Sequence, residues 1–259
     1  MMKQTIALFR FLMLGIVNRR LFALLAILLL IAVLAGSFVG EVAIINSHRI
    51  ATGLMADLLR YSLALLMLLL VITNVVDDYE SSQFERLLTM PLARWQYVAA
   101  QSLVVASLSL LLAIPVALLF SLYGGVATGF YWATALWLEL WLLGQLGLLA
   151  AISLERVTFA FFFALAVYLL AKLSGLISLM LIESVKLSEG SAASVTTEWI
   201  FQAILYVLPG LKAFADSDVF FVSHDLGLLL GQQFGTVSIY LLFLTAACLL
   251  DFYRKEFDR

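Results

Sequence analysis

Residues 58–98 read LLRYSLALLMLLLVITNVVDDYESSQFERLLTMPLARWQYV, and the break after Val76 decides the fold. Residues 58–76 form an apolar run close to the roughly 20 residues that cross a hydrocarbon core as helix. Residues 77–98 are then abruptly charged, and a second long apolar run follows over 96–122. Working outward, the same alternation gives candidate spans at 21–43, 58–76, 96–122, 131–153, 157–181 and 227–250. The chain is 64% hydrophobic and 12% charged over 259 residues. A soluble domain sits nearer half apolar and a quarter charged. The sequence therefore predicts an all-α polytopic membrane protein: one transmembrane domain over 1–259 with six spans and no room for a soluble domain.

Basic residues set the orientation. With the N-terminus inside, Lys3, Arg10, Arg19, Arg20, Arg86, Arg94, Arg156, Arg254, Lys255 and Arg259 all fall on the inner side. Outside fall Arg49, Lys186 and Lys212, with Arg60 near the outer end of the second span, where snorkelling is its default reading. Both termini are then cytoplasmic. The first span is read as retained and not as a cleaved leader, because a flank of twenty residues precedes it and no clear small-x-small site follows. Lys3, Arg10 and Asn18 fall near one face of an otherwise apolar helix over 2–18, which predicts an interfacial helix on the inner leaflet.

Within the charged stretch, Phe84, Leu87 and Leu88 share a helix face at i, i+3, i+4, while Glu80, Gln83 and Arg86 lie elsewhere. Asp77, Asp78 and Glu80 sit on the N-terminal side of a helix predicted over 78–90, where the dipole favours acids. Pro91 stops it, and Arg94 with Trp95 marks the return to the bilayer. The result is a short cytoplasmic helix that presents an apolar knob to a partner.

This segment resembles the coupling-helix region of ABC-2 type (type V) exporter permeases. Glu85, Leu87, Leu88, Pro91, Leu92 and Arg94 match the family's pattern, and Ser82 stands where the family usually has glycine. The resemblance implies a transport subunit that is not itself an enzyme. It further implies a separate ATP-binding-cassette ATPase in two copies that holds ATP and Mg, a second permease (a copy or a different chain), and membrane lipid as neighbour. The ATPase-docking residues it implies are Glu80, Phe84, Glu85, Arg86, Leu87, Leu88, Pro91 and Arg94. Consistent with it, no G-x-x-x-x-G-K-[ST] phosphate loop occurs in the chain. The heme-export permease of cytochrome c maturation, with a similar loop, is an alternative subfamily.

Glu139 and Lys172 are the charges placed deepest in the apolar runs. Glu139 lies about 12 Å in from the outer end of span four, and Lys172 about 22 Å up from the inner end of span five. Intramembrane charges pair or face water, so a Glu139–Lys172 contact or a shared wet path is expected. The alternative function built on them is an ion-coupled secondary transporter, although no repeat relates the two halves. Phe130, Tyr131 and Trp132 read as an outer aromatic belt, while Trp137 and Trp141 share a deeper face that could line a path. Gly36-x-x-x-Gly40 and Gly231-x-x-x-Gly235 permit close helix approach.

The outer segment 182–226 ends an apolar patch, Trp199 to Leu211, at Pro209-Gly210, and is expected to form a re-entrant or surface helix. His224 and His48 are isolated, so no metal site is expected. A net charge of −2 argues against a nucleic-acid partner, and one cysteine excludes an intrachain disulfide. Short loops and the inside-positive bias suit a bacterial inner membrane.

Overall fold

Six long helices carry the described residues of the computed structural model, which are 9–10, 12–13, 21–42, 47–80, 94–187 and 226–254. They are α1 (Leu21–Val42), α2 (Ser47–Glu80), α3 (Arg94–Gly124), α4 (Val126–Leu154), α5 (Val157–Leu187) and α6 (Leu226–Arg254). No strand occurs among the described residues. Apolar runs of this length form helix because hydrocarbon offers the backbone no other hydrogen-bond partner. Five helices, α1 to α4 and α6, are long and apolar enough to cross a membrane. The chain is an all-helical, polytopic membrane protein.

The helices are longer than the apolar runs that announce them. α2 begins eleven residues before the run at 58–76 and ends at Glu80. Asp77, Asp78 and Glu80 therefore close α2; they do not open a separate helix at 78. The expected dipole benefit is lost there, since acids sit at a helix C-terminus. Residues 81–90 of that expected helix lie outside the described residues. So do most of the interfacial segment 2–18 and residues 188–225 of the outer segment; 182–187 continue α5.

Three close approaches hold the bundle's hairpins. A Cβ on Gly36 would stand 2.9 Å from Met55 Cε and 3.2 Å from Ala51 O, and one on Gly40 would stand 3.2 Å from Ala51 Cβ. Absent side chains thus let α1 lie directly on α2. α3 and α4 are joined by Gly125 alone, at φ 85, a conformation only glycine adopts freely. A Cβ on Gly129 would stand 2.5 Å from Ser121 N, so the hairpin closes backbone to backbone. α4 ends at Glu155, whose left-handed φ of 56 turns the chain while its N–H donates to Ala151 O at 3.1 Å.

α4 is the central helix and packs against α2, α3, α5 and α6. Trp132 is fully buried on it, 4.6 Å from Phe120 between ring centroids, and Tyr131 is also buried. Of the expected outer belt only Phe130 faces out. The belt rule reads depth and not rotation, and rotation turns Tyr131 and Trp132 inward. Outward faces carry large apolar side chains such as Leu118, Phe159, Phe162, Leu242 and Phe243, as lipid contact requires.

One end of the bundle gathers the end of α2 with the start of α3 and the ends of α4 and α6. Gln101 Nε2 donates to Asp78 Oδ2 at 3.2 Å, Ser153 Oγ donates to Asp251 Oδ2 at 2.7 Å, and Tyr97 stacks on Phe252 at 5.5 Å. Residues 81–93 connect α2 to α3 at this end, called here the loop end.

Candidate functional site: a buried charge cluster

Lipid tolerates a charged side chain only where another group compensates it. α2, α4 and α5 each bring one charge to a common point near the middle of their lengths. Arg60 Nε donates to Glu139 Oε2 at 2.8 Å. Lys172 Nζ lies 2.7 Å from Glu139 Oε1. The side chains are 7%, 9% and 1% exposed for Arg60, Lys172 and Glu139. Tyr168, one turn before Lys172 on α5, donates its hydroxyl to the same Oε1 at 3.3 Å, and its ring lies 5.8 Å from Lys172 Nζ. Both carboxylate oxygens are therefore engaged. Asp57, one turn before Arg60, is close enough to act on the Lys172 charge.

The Glu139–Lys172 contact is present, farther from the start of α4 than the apolar run indicates. α4 starts at Val126, so Glu139 lies about 20 Å from its beginning. Arg60 is a correction. It is buried in the cluster and does not snorkel to the outer surface. Its distance from the surface was measured from the apolar run, whereas α2 extends three turns beyond that run. The sequence carried no signal for this, since the buried face of Ala56, Leu63 and Met67 is no more apolar than the exposed Leu58, Leu65 and Leu69. Tyr168 carried no signal apart from its helical spacing to Lys172.

Trp137 and Trp141 stack at 5.6 Å on α4, and both are half-buried. Trp137 Nε1 donates to Ala106 O on α3 at 3.3 Å, and its ring meets Phe234 of α6 edge-on at 6.3 Å. The pair fills the junction of α3, α4 and α6, away from the Glu139 carboxylate's partners on α2 and α5. Of the expected docking residues, Glu80 closes α2 and Arg94 opens α3. Phe84, Glu85, Arg86, Leu87, Leu88 and Pro91 lie outside the described residues.

Two further features were not read from sequence. A cavity of about 250 Å³ opens between α1 and α2, lined by Gly36, Ser37, Gly40, His48, Thr52 and Met55 among others. Gln145, fully buried on α4, reaches Ser102 of α3 and Cys248 of α6. Among the described residues no group of three or more His, Cys, Asp or Glu is placed to hold a metal.

The charge cluster ties three helices together by ionic hydrogen bonds in a place where each charge alone would be costly. Both oxygens of its buried carboxylate, Glu139, are engaged by two cations and a phenol. A scan against protein-family models finds no match to this sequence, and a search of curated proteins finds none either.

Proposed function

We propose that this chain is the permease subunit of an ABC-2 type ATP-binding-cassette exporter that moves a hydrophobic or amphipathic cargo outward across a bacterial inner membrane. The observation that carries the reading is the sequence of 77–98, with its acidic run, the Phe84/Leu87/Leu88 face, Pro91 and Arg94. In this reading α1 to α6 are six spans, both termini are cytoplasmic, and the loop end faces the cytoplasm. Arg156 and Arg254 lie at that end with Arg94, as the positive-inside rule asks. A separate ATPase, in two copies, carries ATP and Mg and docks on the 77–95 segment. A second permease completes the transporter. Closure of the ATPase pair pushes on the ends of α2 and α3, and the α2–α4–α5 unit moves as one body.

The geometry of Glu139 favours this over an ion-coupled carrier. A coupling carboxylate must meet water and its ion in turn, and both oxygens of Glu139 are already held by Arg60, Lys172 and Tyr168. The experiment is affinity purification of the chain from its native membranes, followed by mass spectrometry. A stoichiometric soluble ATPase is expected, and it should be lost from a Phe84→Asp/Leu88→Asp variant that still inserts and folds. A chain that purifies alone and transports in liposomes under an ion gradient without ATP would overturn the reading.

A further inference from the structure

α6 meets α3 and α4 along a seam that is polar at both ends and in the middle. At the end away from the loop, Gln233 Nε2 donates to Tyr131 OH at 3.1 Å; at the loop end Ser153 bonds Asp251. Between them Gln145 Nε2 donates to Ser102 Oγ at 3.1 Å and points at Cys248 Sγ at 4.0 Å. The Gln145 side chain is fully buried, and its Oε1 has no hydrogen-bond partner among the described residues. Exchanging the amide oxygen and nitrogen does not relieve this. The oxygen would then accept from Ser102 and Cys248, and both N–H bonds would be stranded instead. Either way one pole of a primary amide is unsatisfied among the described residues, about 14 Å in from the end of α4, where lipid supplies neither donor nor acceptor.

Helices in a membrane associate well through small-residue packing and do not need an amide at the centre of a contact. A buried polar atom with no protein partner calls for an ordered water or ion. We propose that the Gln145 amide is a hydration site: a water molecule enters along the seam between α6 and the α3–α4 pair and hydrogen-bonds the free pole of the amide beside Ser102 and Cys248. The seam is then a wet path within one chain, separate from the charge cluster on the other side of α4. This inference goes beyond the transporter reading and holds whichever energy source drives the protein.

The chain has one cysteine, and it lies at the site, so the unmodified protein reports on it. Methanethiosulfonates react with thiolate and not with thiol, and a thiolate forms only where water reaches the sulfur. Full-length protein in native membrane vesicles is treated with 2-aminoethyl methanethiosulfonate, and modification is followed by intact mass. Wild-type Cys248 is expected to be modified within an hour. Gln145→Leu, which removes the polar anchor, should slow modification at least tenfold, and Gln145→Asn should restore most of the rate. If Gln145→Leu does not accumulate, Gln145→Met carries the same expectation. A Cys248 that stays unmodified for an hour in membranes, yet reacts at once in dodecyl sulfate, overturns the proposal. So does a Gln145→Leu or Gln145→Met protein that reacts as fast as wild type.

Discussion

Replacing Glu139 with glutamine leaves the shape of the buried cluster and removes the carboxylate that bonds both cations. Arg60 and Lys172 each lose an ionic hydrogen bond, of 2.8 and 2.7 Å, and both remain buried at the same place. Removing one partner of a buried ion pair costs about 3–5 kcal/mol, mostly because the other charge is stranded. Here one substitution takes an ionic hydrogen bond from two buried cations at once, so the cost belongs at the upper end, about 5 kcal/mol. Lys172→Met acts differently. It removes one ionic hydrogen bond, about 1.5–3 kcal/mol, but leaves Arg60 and Glu139 as a neutral pair. Arg60→Met leaves the Lys172–Glu139 pair in the same way. The structure thus predicts an order in which Glu139→Gln is the most damaging, by about 2 kcal/mol or more over either cation replacement. Equilibrium unfolding of purified protein in mixed micelles measures the three free energies on one scale. Equal losses for the three variants, or a Glu139→Gln protein within about 1 kcal/mol of wild type, would refute the account of one carboxylate bridging two cations.

Two glycines give contrasting expectations in the same assay. Gly129→Ala should cost about 3 kcal/mol or more, because its Cβ meets the Ser121 backbone at 2.5 Å and neither helix can yield across a one-residue link. Gly36→Ala should cost about 1 kcal/mol, because its nearest neighbour is the flexible tip of Met55 at 2.9 Å, with the Ala51 carbonyl a little further at 3.2 Å. Comparable losses at the two sites would mean that backbone contact is not what closes the α3–α4 hairpin.

Five of the expected spans were legible because lipid writes them as uninterrupted apolar runs, and the pairing of Glu139 with Lys172 was legible because both are charges set deep within such runs. The ends of the helices were not. His48, Arg49, Asp57 and Asp77 to Glu80 belong to α2 but break its apolar run, since a helix that emerges from lipid continues with polar residues. Arg60 was misplaced for that reason. Rotation about a helix axis was the second blind spot. Tyr131 and Trp132 have interfacial composition at an interfacial position, yet α4 is surrounded by four helices and turns both into the core. Gln145 passed unnoticed because a single amide barely dents an apolar run. Its significance lies in three helices meeting around it, which no local pattern encodes.

The charge cluster also fixes an order in time. Arg60 and Glu139 are 79 residues apart in sequence. A ribosome adding about 5–20 residues per second makes Arg60 roughly 4–16 s before its carboxylate exists. Lys172 follows Glu139 within a few seconds more. Throughout that interval the nearest acid already made is Asp57, one helical turn earlier on α2 and within reach of the guanidinium at i, i+3 spacing. Asp57 is thus the acid on the arginine's own helix, one turn away, throughout the time before Glu139 is made.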